Sequence, residues 1–195
     1  MHALLGMKKE DKIGGIGFSE ISPASRRRAV AVGPVDAVQS EYTLWPRLPE
    51  LGMLQTCREL GAAFVAYSPL GRGIFSDHIP DPNAFADSDF RKNSPRFQQP
   101  NRGFNLARIA PFLAFAADHG VSTAAMAIAW CLAQAENIIL IPGTRSAKHL
   151  EDCVEGARIT RTEDIKAEID RRLPVGWAHG DRYSKVLWSG PEGYC

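Results

Sequence analysis

Three basic side chains cluster where a short apolar run gives way to a predicted helix. Arg145, Lys148 and His149 fall within five residues of one another, directly after Gly143 and Thr144. Cations are unfavourable at a helix N-terminus, because the helix macrodipole already places partial positive charge there. An anion held between these side chains would offset that cost, whereas the alternative is a solvated helix start that binds nothing. The pattern favours the anion site.

Polar and aromatic residues stand at the ends of the other apolar runs. Ser19 follows the first run, Gln39 ends the second and Tyr67 ends the third. Taken alone, Tyr67 is more typical of an aromatic that caps the core, and Gln39 of an ordinary strand-end amide. Gly71-Arg72-Gly73 is a lone G-x-G, which is weak evidence for a nucleotide loop. The value of these residues as a binding site therefore depends on the motifs around them.

The elements that must position these residues alternate between strand and helix. Short apolar runs predict buried strands at residues 13–18, 34–39, 62–67 and 138–141. Helices are predicted at residues 22–32, 50–60, 105–118 and 123–134, and again after Ser146 and Thr162. Ser22-Pro23 supplies an N-cap and a first-turn proline, and Gly61 supplies a C-cap. This order predicts a parallel sheet covered by helices, and its four units make half of a (β/α) barrel.

A long connection and an irregular tail complete a single predicted domain over residues 1–195. Residues 73–104 form a polar stretch that contains proline and asparagine, as functional or disordered loops do. The tail at residues 174–195 shows no periodic pattern. The helix that follows Ser146 carries an apolar stripe that includes Leu150, Cys153 and Val154.

The composition gives no electrostatic reason to expect nucleic acid or a membrane as a partner. The chain has 23 basic and 22 acidic residues, for a formal charge of +1. The apolar run at 121–135 is shorter than the roughly 20 residues that cross a bilayer. Residues 26–28, three arginines, are read as a solvated helix face. The four cysteines, at 57, 131, 153 and 195, show no C-x-x-C spacing, so reduced thiols in a cytoplasmic chain are favoured over a metal site or disulfide.

Several strand-end motifs together resemble the second half of an aldo-keto reductase. They are Gly17-Phe18-Ser19-Glu20, Gln39-Ser40-Glu41-Tyr42, Tyr67-Ser68-Pro69-Leu70-Gly71-Arg72-Gly73, Ile141-Pro142-Gly143-Thr144-Arg145 and Gly180-Asp181-Arg182-Tyr183. The resemblance covers nearly the whole chain from about Lys8. It implies a TIM-type (β/α)8 barrel that binds NADP(H) in extended form at its C-terminal mouth and reduces aldehydes and ketones. The four strands would be the fifth through eighth, and the loop at 73–104 would fold over the cofactor.

The resemblance also implies roles for individual residues. Ser19 and Gln39 match residues that bind the nicotinamide carboxamide, and Glu20 stands where asparagine is usual. Tyr67 matches the aromatic that stacks under the nicotinamide ring, which is distinct from the proton donor. Pyrophosphate contacts, in part through backbone N–H groups, are implied for Ser68, Leu70 and Arg72. The adenosine 2′-phosphate end is implied for Gly143, Thr144, Arg145, Lys148, His149 and Asp152.

The catalytic aspartate, tyrosine, lysine and histidine of the family belong to its first four strands, which no part of this chain matches. We therefore expect no catalytic residue here, and a carbonyl substrate only if an N-terminal half completes the barrel. The alternatives are a non-catalytic dinucleotide-binding or regulatory protein and an inactive truncated product. Open sheet edges at residues 13–18 and 138–141 also predict self-association. Val38, Val65 and Ile139 are expected to face the barrel interior.

Overall fold

The computed structural model describes residues 1–160 and 162–194, which form a parallel sheet with helices packed on one side. The strands are β1 Gly17–Ser19, β2 Ala37–Glu41, β3 Ala63–Tyr67 and β4 Ile138–Ile141. The α-helices are α1 His2–Lys9, α2 Pro23–Val30, α3 Met53–Glu59, α4 Asn101–Asp118, α5 Thr123–Leu132, α6 Ala147–Arg158 and α7 Glu163–Arg172. Short 3-10 helices lie at Leu48–Glu50, Gly71–Gly73, Pro82–Ala84, Phe90–Asn93, Pro95–Phe97 and Leu187–Ser189.

The strands lie in sequence order, β1-β2-β3-β4, and every neighbouring pair is parallel. The register places Gln39 of β2 directly beside Ser19 of β1 and Val65 of β3. Each strand is joined to the next by helical structure, as parallel pairing requires. The predicted partial (β/α) barrel is confirmed.

The two faces of the sheet differ sharply in exposure. Val38 and Phe64 are fully buried against the helices, whereas Ile139 and Ile141 on the opposite, concave face are 53% and 44% exposed. Side chains alternate between faces along a strand, so Val38 cannot share a face with its neighbour Gln39. The prediction that Val38 faces the barrel interior was therefore wrong, while that for Ile139 is confirmed.

The first strand is shorter and less buried than predicted. The residues before Gly17 form no strand pairing, because Ile16 is hydrogen-bonded to Asp36 instead. The Asp36 carboxylate accepts the Ile16 N–H at 2.7 Å, and the Asp36 N–H donates to the Ile16 carbonyl at 2.7 Å. The second strand begins three residues later than predicted, since Pro34 has no N–H to donate, and it continues to Glu41.

Local capping signals predicted most helix ends correctly. The Ser22 hydroxyl accepts the Ser25 N–H at 3.2 Å and begins α2, and Gly61 adopts φ +66° after α3. The fourth helix begins four residues before the predicted start and contains Pro111 in its interior. The fifth is buried nearly all round, as its composition indicates.

The apolar stripe of α6 is only partly covered. Cys153 is buried, as predicted for a core residue, but Leu150 and Val154 are 53% and 42% exposed. Gly156, also buried, lies so close to the Ala125 carbonyl of α5 that a β-carbon there would collide with it. Helix α6 thus packs on α5 by one side and leaves the rest of its apolar surface open.

Aromatic packing ties the long loop and the tail to the sheet. Trp177 stacks on Trp45 with ring centroids 6.3 Å apart, and Phe75 and Phe97 from the loop meet Trp45 edge to face. The Trp177 indole N–H donates to the Leu44 carbonyl at 2.7 Å. The described part of the tail contains one short 3-10 helix, and its aromatic anchor belongs to the core.

The helices and the polar side-chain groups of the described residues bear on membranes and metals. No single helix has both the length and the apolar composition of a membrane span, and α4 and α5, which meet the criteria only jointly, are bent by 94°. Within the same residues, no group of three or more histidine, cysteine or acidic side chains is arranged to hold a metal ion. Cys57, Cys131 and Cys153 are free and buried, and Cys195 lies outside the described residues.

One arginine lies in the core, contrary to the predicted solvated face. Arg27 and Arg28 are exposed, but Arg26 is fully buried and none of its three guanidinium nitrogens has a hydrogen-bond partner among the described residues. Burial raises the pKa of the neighbouring Cys57 thiol, against the opposing charge of Arg26. The triple-arginine pattern misled because the helix turns Arg26 inward, toward α3.

We expect the Arg26→Leu variant to be more stable than the parent chain. A buried, unpaired charged group carries a desolvation cost of about 1–3 kcal/mol or more, and leucine removes it while filling much of the same space. Urea denaturation followed by circular dichroism measures the free energy of unfolding. The Arg28→Leu variant, at an exposed site on the same helix, is the control and should change that free energy by less than about 0.5 kcal/mol. A destabilised Arg26→Leu variant would contradict the prediction.

Candidate cofactor site at the carboxyl ends of the strands

Three of the predicted cofactor residues meet on the concave face of the sheet. Ser19 and Gln39 are direct neighbours across β1 and β2, and both are exposed. Tyr67 ends β3 two residues beyond Val65, which pairs with Gln39. The sheet therefore brings an exposed hydroxyl, an exposed amide and a half-buried aromatic ring to one side of its C-terminal edge.

The hydroxyl of Tyr67 is held by two residues of the tail. It lies 2.8 Å from the Tyr183 hydroxyl, and the Arg182 guanidinium donates to it at 2.8 Å. Burial and the hydrogen bond with Tyr183 raise the pKa of Tyr67 above its ordinary value. The phenol thus stays neutral, and its ring is fixed in one orientation by the tail.

Arg182 is the centre of a charged network across the strand ends. Its guanidinium donates to both carboxylate oxygens of Glu20 at 2.7 and 2.9 Å, and its Nε donates to Glu41 at 2.6 Å. Arg72 makes a second two-pronged contact with Glu41, at 2.6 and 3.0 Å. The side chains of both arginines and of Glu41 are less than one-tenth exposed. Such fork-shaped contacts fix geometry as well as charge.

The network offsets the cost of burying its charges. Burial disfavours ionisation of Glu20, but the hydrogen bonds and charge of Arg182, together with the Glu41 N–H, lower its pKa below the ordinary value. Burial likewise disfavours the Arg182 cation, yet Glu20 and Glu41 raise its pKa. Glu20 and Arg182 are therefore both ionised at neutral pH.

The roles of Glu41, Arg182 and Tyr183 in this network were not predicted from the sequence. The available signal was charge: Glu20 and Glu41 follow adjacent predicted strands at nearly the same level, and an arginine sits in the tail motif. Two acids at neighbouring strand ends require cations nearby, because unpaired buried carboxylates are costly. That argument could have paired them with an arginine but could not have chosen which one.

The turn after β3 is compact and largely satisfied internally. Ser68 and Arg72 have positive φ angles of 51° and 61°. The N–H groups of Gly71 and Gly73 donate to the carbonyls of Ser68 and Leu70, at 2.9 and 3.0 Å. The Arg72 side chain is engaged by Glu41, so its guanidinium is not directed at open solvent. The pyrophosphate contacts of Ser68, Leu70 and Arg72 stay predictions.

The loop at 73–104 packs back on this turn. Arg91 donates to the Arg72 carbonyl at 3.1 Å and is paired with Asp89 at 2.6 Å. The Arg72 guanidinium also lies over the Phe90 ring, 5.1 Å from its centroid. The loop is thus anchored beside the strand ends where it was predicted to cover the cofactor, a role that stays a prediction.

The predicted anion end lies one strand further along the same edge. Ile141 of β4 pairs with Tyr67, so the segment that begins at Gly143 follows the adjacent strand, about 4.8 Å away. The exposed members of this group are Gly143, Thr144, Arg145, Lys148 and His149. The residues predicted to bind the carboxamide and those predicted to bind the anion thus follow one another along the edge, from β1 to β4.

Only part of the basic cluster is free to meet an anion. Lys148 forms an ion pair with Asp152 one turn along α6, and Asp152 is buried. The hydrogen bond to Asp152 raises the pKa of Lys148. Arg145 and His149 make no side-chain hydrogen bond or ion pair with any residue that the structure describes. Arg145 is therefore the cation of this cluster best placed for a phosphate. Asp152, which was predicted to contact the cofactor, is instead ion-paired with Lys148.

We expect the stabilising effect of Glu20 to depend on pH. Its pKa is lowered in the folded state from an ordinary 4.5, so its stabilisation is present above about pH 5 and is lost as the pH falls through the folded-state pKa. At pH 7 Glu20→Gln should lower the free energy of unfolding by about 1–3 kcal/mol. The difference in the free energy of unfolding between the parent and the variant should become smaller as the pH falls. Denaturant titrations at several pH values from 7 to 3 measure it. Exposed Glu10→Gln is the control; a constant gap for Glu20→Gln would contradict the assignment.

Known proteins share both the sequence pattern and the fold. The profile of the Aldo/keto reductase family matches residues 1–172. Aldo-keto reductase str7 of Strobilurus tenacellus is 36% identical over 196 residues, and aldo-keto reductase yakc [NADP(+)] of Schizosaccharomyces pombe is 36% identical over 199 residues. The structure of the glycerol dehydrogenase AKR11B4 from Gluconobacter oxydans superimposes with a TM-score of 0.78 at 28% identity.

The matches cover nearly all of this chain but only part of each matched protein. They cover 97% and 98% of this chain in the two relatives, and 87% in the glycerol dehydrogenase. They cover 58% of each relative and 52% of the glycerol dehydrogenase chain, so the chain spans a little over half the length of these proteins. On the family profile and these relatives, the chain belongs to the aldo/keto reductase family.

Proposed function

We propose that this chain is the cofactor-binding half of an NADP(H)-dependent aldo-keto reductase that acts on small carbonyl compounds. The observation that carries the proposal is the order of side chains along one sheet edge: Ser19 and Gln39, then Tyr67, then Arg145. An exposed hydroxyl, an exposed amide, an aromatic ring and an unpaired cation follow each other there. The yakc relative carries NADP(+) in its name, which supports the choice of cofactor.

The residues present suit the chemical groups of NADP(H). A carboxamide both donates and accepts hydrogen bonds, and the Gln39 amide and Ser19 hydroxyl can do the same. Both side chains are exposed on the concave face, and neither makes a side-chain hydrogen bond within the described part of the chain. The Tyr67 ring supplies an apolar surface for a flat heterocycle. Arg145 supplies the charge that a 2′-phosphate requires and that a 2′-hydroxyl does not.

The proposed division of labour gives these residues binding and orientation. NADPH, when bound, supplies the hydride. Arg182 and Tyr183 hold the Tyr67 hydroxyl, so this phenol orients a ring and has a pKa too high for ready proton release. Glu20 and Glu41 are committed to arginines. We propose that the proton for the carbonyl oxygen comes from residues outside this chain.

We further propose a cytoplasmic setting, as expected from the cysteine pattern. Cys57, Cys131 and Cys153 are free thiols, and all are buried. Burial raises the pKa of the Cys131 thiol well above its ordinary value, so this side chain is an inert core residue. Free, unreactive thiols of this kind are typical of reducing compartments.

We expect the chain to bind NADPH more tightly than NADH. A charge-assisted hydrogen bond from Arg145 to the 2′-phosphate is worth about 1.5–3 kcal/mol, or roughly 10–150-fold in affinity. Titration of each coenzyme, followed by quenching of tryptophan fluorescence, measures both dissociation constants. Arg145→Ala should bring the NADPH affinity close to that of NADH.

A matched control is available on the same helix. Arg158, also exposed, lies at the far end of α6, so Arg158→Ala removes an equal charge without touching the proposed phosphate site. It should leave the preference for NADPH within about twofold, because exposed charges at that distance are screened by salt. Equal affinities of the parent chain for the two coenzymes would overturn the 2′-phosphate assignment and the proposed function with it.

We expect the isolated chain to show no appreciable carbonyl reduction. A positioned general acid contributes about 10²–10⁴-fold to the rate, and the acidic and phenolic groups at the described strand ends, Glu20, Glu41 and Tyr67, are all held by arginines. Oxidation of NADPH with a panel of aldehydes, followed at 340 nm, is the measurement, and Tyr67→Phe is the comparison. Turnover at ordinary enzyme rates, on the order of 10 s⁻¹, would show that this chain contains a proton donor after all.

A further inference from the structure

A guanidinium without a counter-charge lies on the covered side of the sheet. Arg26 of α2 is fully buried, and none of its side-chain nitrogens has a hydrogen-bond partner among the residues that the structure describes. An arginine side chain presents five N–H donors, accepts no hydrogen bond and stays protonated inside a protein. A buried lysine or carboxylate can become neutral to escape the cost of burial, but an arginine cannot. The charge at this position therefore requires a negative partner.

The acidic side chains on the neighbouring elements are already engaged by other groups. Glu59 of α3 accepts from Arg27 at 2.8 Å, and Glu192 of the tail accepts the Ser22 N–H at 2.8 Å. The two glutamates at the strand ends are held by the arginines of the charged network. None of these carboxylates balances the charge of Arg26.

The thiol beside Arg26 does not supply the negative charge either. Burial raises the pKa of the Cys57 thiol, and the charge and hydrogen bond of Arg26 oppose that rise only in part. The ordinary pKa of a cysteine is already above neutrality, so this thiol stays protonated at pH 7. The counter-charge of Arg26 must therefore come from outside the described part of the chain.

A second unpartnered group faces the same layer of the structure. Ser40 lies two residues beyond Val38 on β2, so both side chains point toward the helices. The Ser40 hydroxyl is buried and, like Arg26, has no hydrogen-bond partner among the described residues. Burial raises the pKa of the half-buried Tyr194 phenol, and both Ser40 and Cys57 act on it as well. Tyr194 thus lies at the solvent side of the layer that holds these groups.

The surroundings of Arg26 come from elements that this chain itself supplies. Helix α2 has α1 on one side, where Leu5 lies against Gly33 just after the helix end. On the other side an arginine–glutamate ion pair of 2.8 Å joins α2 to α3. Ser40 lies on β2, which is paired with a strand on each side. The layer is therefore independent of the concave face and of whatever lies beside β1 or β4.

We propose that Arg26 and Ser40 bind one small monovalent anion, best matched by chloride, between α2, α3 and β2. A monovalent anion balances the single guanidinium charge, whereas sulfate would leave a second buried charge unpaired. A monatomic anion donates no hydrogen bond, so it suits a site that offers donors from a guanidinium and a hydroxyl. The site lies on the opposite face of the sheet from Ser19 and Gln39 and does not depend on the coenzyme. It therefore goes beyond the proposed function.

The dependence of stability on chloride tests the proposal on the full chain. Unfolding by urea is followed by circular dichroism in sodium chloride and in sodium gluconate at equal ionic strength. An anion bound only by the folded chain raises the folded-to-unfolded ratio in proportion to 1 + [L]/Kd. That ratio should therefore rise about tenfold when chloride reaches ten times its Kd. Gluconate, a much larger anion, should produce no such rise.

Three variants separate the proposed site from general salt effects. Arg26→Leu should abolish the response to chloride, and Ser40→Ala should weaken the apparent chloride affinity about 2–10-fold, because one neutral hydrogen bond is lost. Arg28→Leu, at an exposed site on the same helix, is the control and should respond as the parent does. The greater stability expected of Arg26→Leu applies to chloride-free buffer, and it should become smaller as chloride is added.

Broadening of the chlorine NMR line by the folded chain measures binding without unfolding. It should occur with the parent and with Arg28→Leu and should be lost with Arg26→Leu. No chloride response of the parent, or equal responses of the parent and Arg26→Leu, would overturn the proposal. A stronger response to sulfate than to chloride would overturn the assignment of a monovalent anion. Arg26→Met, also unbranched and uncharged, takes the place of Arg26→Leu if circular dichroism shows that the leucine variant does not fold.

Discussion

The described sheet buries one face only, and the rest of the molecule is arranged around that constraint. Helices α2 to α5 cover the face that carries Val38 and Phe64, and they supply the hydrophobic core. The concave face receives no such cover, so its residues are polar or half-exposed apolar groups. A parallel sheet is ordinarily buried on both sides. The same exposed face holds the candidate cofactor residues and the surface that most needs a partner.

The charged network at the strand ends lies on the same sheet, whose second face is not covered by helices. The carboxyl ends of β1 and β2 present Glu20 and Glu41, whose mutual repulsion would loosen the edge. Arg182 reaches both, and Arg72 adds a second cation to Glu41. These contacts bind the tail to the sheet and position Tyr67 at the same time. Structural support and site geometry therefore share the same hydrogen bonds.

Sequence reasoning predicted the alternation of elements, because caps and breakers act locally. Ser22, Gly61 and the apolar run of β4 each specify a boundary through neighbouring residues alone. Errors arose where the outcome depends on distant partners. The first strand shortened because Asp36 holds the backbone before it, and Arg26 turned inward although its two neighbours did not.

For the site, too, the sequence predicted the local features but not the contacts between distant residues. The order of Ser19, Gln39, Tyr67 and Arg145 along one edge follows from the strand sequence and parallel pairing. The fixing of Tyr67 by Arg182 joins residues 115 apart, and no local pattern specifies it. Likewise, the i,i+4 spacing of Lys148 and Asp152 was visible in the sequence, yet its consequence, that Lys148 is already paired, required the helix to be placed.

The bond from Arg182 to Glu20 spans 162 residues, which has a consequence for the time at which the site forms. A ribosome adds about 5–20 residues per second, so roughly 8–32 s pass between the synthesis of the acid and that of its arginine. For most of that interval the nascent chain carries both Glu20 and Glu41 without Arg182. The proposed binding surface is thus among the last parts of the chain to mature, after the helices that support it have had time to fold.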